Sequence, residues 1–276
     1  MGTERRNQPQ AIGAAEKPRV AWSRGETLLV LHLYLRTPFG KQHHRNPEVI
    51  ALARRIGRSA NSIAMKLNNL TSLDPAEQAR GVTGLKGASK LDRALWNEFE
   101  NSRIDIASEC QAHWHSASQA DTGGGLEGSA DTLWDMDGRE TERQAIRKER
   151  VAQSFFRDLV LQNFDHRCPL TGLAGPHMLI ASHIVGWAED VANRVNPRNG
   201  IALNSLHDAA FDRHLVSFDD NFRLVVAPRL REEVGGSHFG GEMLRFEGTQ
   251  LCEPQRHSLD RELLARHFRA FEQRCA

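Results

Sequence analysis

Apolar residues recur at helical spacing through most of the first hundred positions. The stretch SRGETLLVLHLYLRT opens on Ser23, a side chain that caps helix N-termini, and ends before Pro38. NPEVIALARRIG places Asn46 as a cap, Pro47 at the first helical position and Gly57 as a stop. RSANSIAMKLNNL is capped by Ser59 and carries Ile63 and Leu67 one turn apart, and SKLDRALWNEFENS continues as a further amphipathic helix. The pattern then breaks. HSASQADTGGGLEGSAD is small, polar and glycine-rich, which predicts a flexible linker over 115–133.

Beyond the linker the periodicity alternates between types. A long helix is expected over 140–163, then a short strand from Leu179 to His183 and a second from Asn199 to Leu203. A helix capped by Asn204 or Ser205 follows in SLHDAAFDRHL. SFDDNFRLVVA reads as a hairpin turning at Asp219 to Asn221. The final SLDRELLARHFRAFEQR is an amphipathic helix, with Leu259, Leu263, Phe268 and Phe271 expected to face the body. The whole predicts an α+β fold: a floppy leader (1–17), an all-helical N-terminal module (18–114), the linker, and a mixed C-terminal module (134–276).

Two short helices meeting at Gly57, with the small Ala53 four positions before it and Ile63 six after, make a helix-turn-helix-like hairpin. The second helix of this hairpin is expected to present Arg58, Asn61, Ser62, Lys66 and Asn69 to solvent. Such side chains contact phosphates and base edges of DNA. Charge supports this. The formal net charge is only +1, but residues 1–115 carry +6, residues 116–150 carry −3 and residues 151–276 carry −2. A basic face confined to one module suits a polyanion. His43 and His44, just ahead of the hairpin, read as solvated or phosphate-facing.

Other classes fall away. No apolar run approaches the length of a membrane span, so no membrane partner is expected. The N-terminus MGTERRNQPQAIGAAEKP has no apolar core of a secretory signal. The four cysteines, Cys110, Cys168, Cys252 and Cys275, are neither paired as C-x-x-C nor numerous enough for a disulfide framework, which points to a reducing cytoplasm.

Candidate chemistry starts at LIASHIVGW. A histidine closing an apolar strand either hydrogen-bonds a carbonyl or serves as a base at the lip of a cleft. Its neighbours favour the second role. His183 ends the first strand, Asn199 opens the second and His207 lies on the next helix, an order that can gather the three around one metal ion. In this order they resemble the His-Asn-His signature of the HNH (ββα-metal) endonucleases, with the closest likeness to the restriction endonuclease branch found in bacteria. RCPLTGL, LIASHIVGW, NPRNGIAL and LHDAAFDRHL carry the resemblance, and the helical hairpin is similar to the module often found ahead of such domains.

The resemblance implies metal-dependent hydrolysis of phosphodiester bonds in double-stranded DNA, in restriction or phage defence, with modified DNA one substrate. His183 is the expected base, and Asn199 either orients it across the loop or touches the metal shell. His207 is the expected metal ligand, Asp208 competes for that place, and Asp212 is a further candidate. Mg²⁺ or Mn²⁺ is the expected ion, with other transition metals open. Ser182 stands where many members carry a metal-binding aspartate, and Gly186 where proline is frequent. The sequence also admits a non-catalytic DNA-binding regulator with a degenerate nuclease-like domain and, less well, a toxin-type nuclease. A homodimer would suit palindromic cutting.

Overall fold

The computed structural model describes residues 20–121, 140–234 and 236–275. Seven helices come first: α1 (Arg24–Arg36), α2 (Pro47–Arg55), α3 (Ala60–Thr71), α4 (Pro75–Ala79), α5 (Lys90–Asn101), α6 (Arg103–Asp121) and α7 (Glu140–Asn163). Their starts are where the polar caps predict. Ser23 and Ser89 form reciprocal capping boxes with Glu26 and Asp92, and Asn46 and Ser59 accept from backbone N–H groups of the first turns of α2 and α3. Gly57 adopts φ +67°, the left-handed conformation that lets α2 stop and α3 begin three residues later. The expected linker differs in its first part: α6 runs on to Asp121, and 122–133 lies outside the described residues, as does the leader.

The C-terminal part is mixed. β1 (Leu179–His183) pairs antiparallel with β2 (Gly200–Asn204), and α8 (Ser205–Asp212) follows directly. β3 (Val216–Phe218) and β4 (Leu224–Val226) form the second hairpin, followed by α9 (Pro228–Val234), α10 (His238–Leu244) and α11 (Arg261–Cys275). The fold is α+β. β2 begins one residue later than expected, because Asn196 and Pro197 start a single 3-10 turn that ends on Asn199. Leu259, just before α11, and Leu263 and Phe271 on it are buried as anticipated, while His267 is also buried and Phe268 is only half-buried. No helix among the described residues is long and apolar enough to cross a membrane.

One apolar cluster runs from α1 through α6 and α7 into the β1–β2 hairpin. Its centre is α7. Phe155, Phe156, Leu159 and Val160 are at most 1% exposed, and α7 packs on α6 and α1 on one side and on β1 and β2 on the other. Gly200 is what allows the second contact. A Cβ built there would lie 2.3 Å from Val160 and 2.7 Å from Phe156, so only a residue without a side chain lets β2 approach this closely.

A polar latch closes the other end. The Asn163 side chain accepts from the backbone N–H groups of Arg256 (3.0 Å) and His257 (2.9 Å) and donates to the His257 carbonyl (2.9 Å). His257 reaches the Leu35 carbonyl at 2.7 Å, and Arg256 donates to the Thr37 carbonyl while lying over the Tyr34 ring.

Gly200→Ala is expected to destabilise the protein by about 1–3 kcal/mol or more, the cost of overpacking a closed core. Urea denaturation measures this, and a variant as stable as the parent would remove the close approach as the reason for the glycine.

Candidate active site

β1, the loop after it, α8 and α11 enclose a cleft of about 490 Å³ whose chemical groups are His183, Asp208, Asp212, His214, Glu189 and Arg266. His183 reaches it because β1 ends there, opposite Gly200 of β2. Its ring stacks on Phe156 of α7, centroids 3.9 Å apart and planes 13° from parallel, and meets the Trp187 ring edge-on at 5.7 Å. Nε2 lies 2.9 Å from the Arg194 carbonyl oxygen. A carbonyl only accepts, so Nε2 carries the proton and Nδ1 is the basic nitrogen of the neutral ring. Burial pushes the imidazole below its ordinary value, against the opposing pull of that carbonyl and of Asp212. The ring is held as a neutral base. The two sequence readings of this histidine, carbonyl partner and cleft base, are compatible because they use different nitrogens.

Asn199 is fully buried and acts on the loop rather than on the ring. Its side chain accepts from the Val185 N–H (2.9 Å) and donates to the carbonyls of Val185 (3.0 Å) and Asn193 (3.1 Å). Its own carbonyl takes the Ile184 N–H at 2.9 Å. All four bonds fix the backbone on either side of the 184–199 loop, which carries Arg194 to His183. Asn199 is a positioning residue and does not line the cleft.

The expected ligand pair separates. Asp208 lines the cleft, while His207, one residue earlier on α8, faces away from it. The His207 Nδ1 lies 3.1 Å from the Asn204 side-chain oxygen, its ring stands edge-on to Phe246, and the backbone of Met243 lies against it. The cause is helical geometry: a step of one residue turns the side chain by about 100°. The step of four from Asp208 brings Asp212 to the same face. The cleft is thus lined by Asp208 and Asp212 and not by His207, which the sequence placed first as ligand.

The donor set suits a divalent cation. Burial and the charge of Asp212 raise Asp208 above the usual carboxylate range, and burial raises Asp212. Two carboxylates whose charges are this poorly compensated are stabilised by a hard cation. Among the described residues no three His, Cys, Asp or Glu side chains converge as a closed metal cluster. The pair is an open face of the kind Mg²⁺ uses, where water and phosphate oxygens supply the other ligands. Ser182, in the place of the family aspartate, stands beside Asp208 and favours its charged form.

Sequence reasoning missed the far wall. Phe211, His267 and His214 stack as three near-parallel rings, at 3.7 Å and 4.4 Å. Ser217 donates to the His267 Nδ1 (2.8 Å), and Nε2 meets the Phe211 carbonyl (3.1 Å). His214 takes φ +56°, a conformation that favours glycine, and its Nδ1 accepts from Arg274 at 2.7 Å. Only the third-to-fourth-residue spacing of His267 and Phe271 on the last helix hinted that this histidine faces inward.

The helical hairpin is present, but its presumed polar face is divided. Asn61 is exposed, whereas Ser62 is half-buried with its hydroxyl donating to the Ser59 carbonyl, and Asn69 is half-buried against Gly87. Lys66, expected at the surface, is 3% exposed and pairs with the fully buried Asp92 at 2.5 Å. Arg58 is committed to Glu26 (2.7 Å), to the Val20 and Ala21 carbonyls and to the face of Trp22. Both cations are consumed in joining α3 to α5 and α1. Composition counts charges but not which of them are already paired.

Residues 168–219 match the HNH endonuclease family. That span starts at Cys168, contains β1, β2, α8 and β3, and includes the cleft residues His183, Asp208, Asp212 and His214. This part of the chain resembles an HNH endonuclease domain, which supports a nuclease-type function in general. No curated protein matches the chain.

Two expected outcomes follow from these environments. Lys66→Ala leaves Asp92 buried without its countercharge, a loss of about 3–5 kcal/mol; denaturant titration reads it, and a change below 1 kcal/mol would mean the pair is not what fixes α3. The second concerns acid. Burial, with the neighbouring His214 charge, pushes His267 down to about 4. The unfolded chain protonates this ring below about 6.5, the folded chain only near 4, so stability present above 6.5 is lost as pH falls through that window, at about 1.4 kcal/mol per unit. His267→Gln is expected to flatten that dependence, measured by denaturation at several pH values.

Proposed function

We propose that the protein is a metal-dependent DNA endonuclease of the restriction type, acting in defence against foreign DNA. The observation that carries this reading is the placement of a neutral, carbonyl-anchored His183 across one cleft from the Asp208 and Asp212 carboxylates. His183 accepts a proton at Nδ1 from a water molecule, and the resulting hydroxide attacks the phosphorus in line. Phe156 and the Arg194 carbonyl hold the ring so that Nδ1 is the nitrogen offered. Asn199 keeps the loop that carries this carbonyl in place. Asp208 and Asp212 would hold a divalent ion, Mg²⁺ or Mn²⁺, which when bound would supply neutralisation of phosphate charge. On the helical module, Asn61, Ser62 and Asn69 remain the α3 side chains for contact with duplex DNA, while Arg58 and Lys66 serve the fold.

The readout is plasmid cleavage with Mg²⁺, with Mn²⁺ and with chelator, on DNA of different modification status. Wild-type cleavage should need the metal. His183→Ala should lower the rate by about 10²–10⁴-fold or more, the scale of a positioned base. Asp208→Asn and Asp212→Asn should raise the metal concentration needed, and His207→Ala should leave that requirement unchanged. Cleavage in excess chelator, or His183→Ala at full rate, would refute the mechanism. A metal requirement shifted by His207→Ala alone would return the ligand role to that histidine. Tight DNA binding without cleavage under every condition would favour the non-catalytic regulator.

A further inference from the structure

A second cleft, of about 340 Å³, lies where the end of α1, the loop into α2 and the end of α7 meet. It shares no lining residue with the cleft around His183. Three cations, Arg36, Lys41 and Arg45, line it together with His43, against two carboxylates, Glu48 and Asp165. Among the described residues none of the three cations makes an ion pair within 4.0 Å.

Arg36 is the informative one. It is half-buried at the last turn of α1, its guanidinium lies over the Trp114 ring at 4.8 Å, and its Nε is enclosed without a hydrogen-bond acceptor. Burial pushes it below the ordinary arginine value, and the more distant Glu48 and Asp158 offset this only in part. A guanidinium presents five donors in a fixed planar fork that matches an oxyanion. Taking one out of water without an acceptor is costly. Arg198 and Arg256 also enclose one guanidinium nitrogen without an acceptor, but Arg198 pairs with Asp260, and Arg256 has the Thr37 carbonyl and Asp74. The backbone at the mouth is also unusual, since Asp165 holds φ +52°, a conformation asparagine adopts more readily.

We propose that this cleft is a phosphate-binding site, with the Arg36 guanidinium as its anchor and Lys41 and Arg45 as its rim. The group bound is a phosphate, either on the backbone of DNA or free in solution. Arg36 is kept at a cost to the fold because its guanidinium serves a phosphate bound in the cleft it lines. His43, in the loop ahead of the hairpin, borders the same opening.

The test uses the full chain in chelator, where cleavage is silent, so its outcome does not depend on the nuclease reading. One arm is a thermal melt in sodium phosphate against sodium chloride at equal ionic strength. The other is a binding titration with labelled duplex DNA at several salt concentrations. Phosphate should raise the wild-type melting temperature. Arg36→Met should melt higher than wild type in phosphate-free buffer and no longer respond to phosphate. Asp165→Asn should bind phosphate several-fold more tightly. If the phosphate belongs to DNA, Arg36→Met also weakens duplex binding and lowers the salt slope by about one. If it is free phosphate, only the melt changes. Should Arg36→Met fail to fold, the exposed Lys41→Ala and Arg45→Ala variants decide. Loss of the phosphate response supports the site, and an unchanged response overturns it. A wild-type protein blind to phosphate, with duplex binding equal in Arg36→Met, overturns the site outright.

Discussion

The contact between α7 and the β1–β2 hairpin is the constraint on which the rest of this structure depends. Val160 and Phe156 occupy the space a side chain at position 200 would take. That approach seats the Phe156 ring under His183, the residue paired with Gly200 across the hairpin. One aromatic side chain therefore fills the core and sets the plane of the cleft imidazole. Burying a phenylalanine of this kind contributes about 1.5–3 kcal/mol, so the ring orientation follows from the hydrophobic effect rather than from polar bonds alone.

Polar groups then refine what packing allows. The 184–199 loop carries no regular ladder, and its backbone would be unsatisfied without Asn199, whose side-chain oxygen and nitrogen bond three backbone groups of the loop. The Arg194 side chain ties the loop again through the Trp187 carbonyl at 2.7 Å, and the Trp187 ring nitrogen donates to Glu149 of α7 at 2.8 Å. Rigidity at His183 is thus supplied from both ends, by α7 beneath it and by the loop around it.

The helical module is bound into the same body. Asn163, Arg256 and His257 join the end of α7, the segment before α11 and the end of α1 through buried hydrogen bonds. The second cleft opens beside that junction, which places its cations on α1 and the loop into α2, and its carboxylates on α2 (Glu48) and just past α7 (Asp165). Charge among the described residues serves ion pairs within and beyond the helical module, the carboxylates of the His183 cleft and the cations of the second cleft.

Helix starts, the strand pair, the hairpin turn and the order His183, Asn199, His207 were readable in the chain because they rest on local rules: caps satisfy orphan N–H groups, and alternation follows the pleat. Asp208 was readable as a rival to His207, but which of the two points into the cleft depends on how α8 is rotated against β1, and packing on β1, β2 and β3 sets that rotation. The burial of Lys66 depends on Asp92, 26 positions away, and the His214–His267 stack on residues more than 50 apart. Contacts of that range leave no periodicity in the sequence. The local elements and the chemical signature are properties of the chain, whereas the pairing of charges and the direction of each side chain on α3 and α8 arise only when α1, α5, α7 and the hairpins close on them.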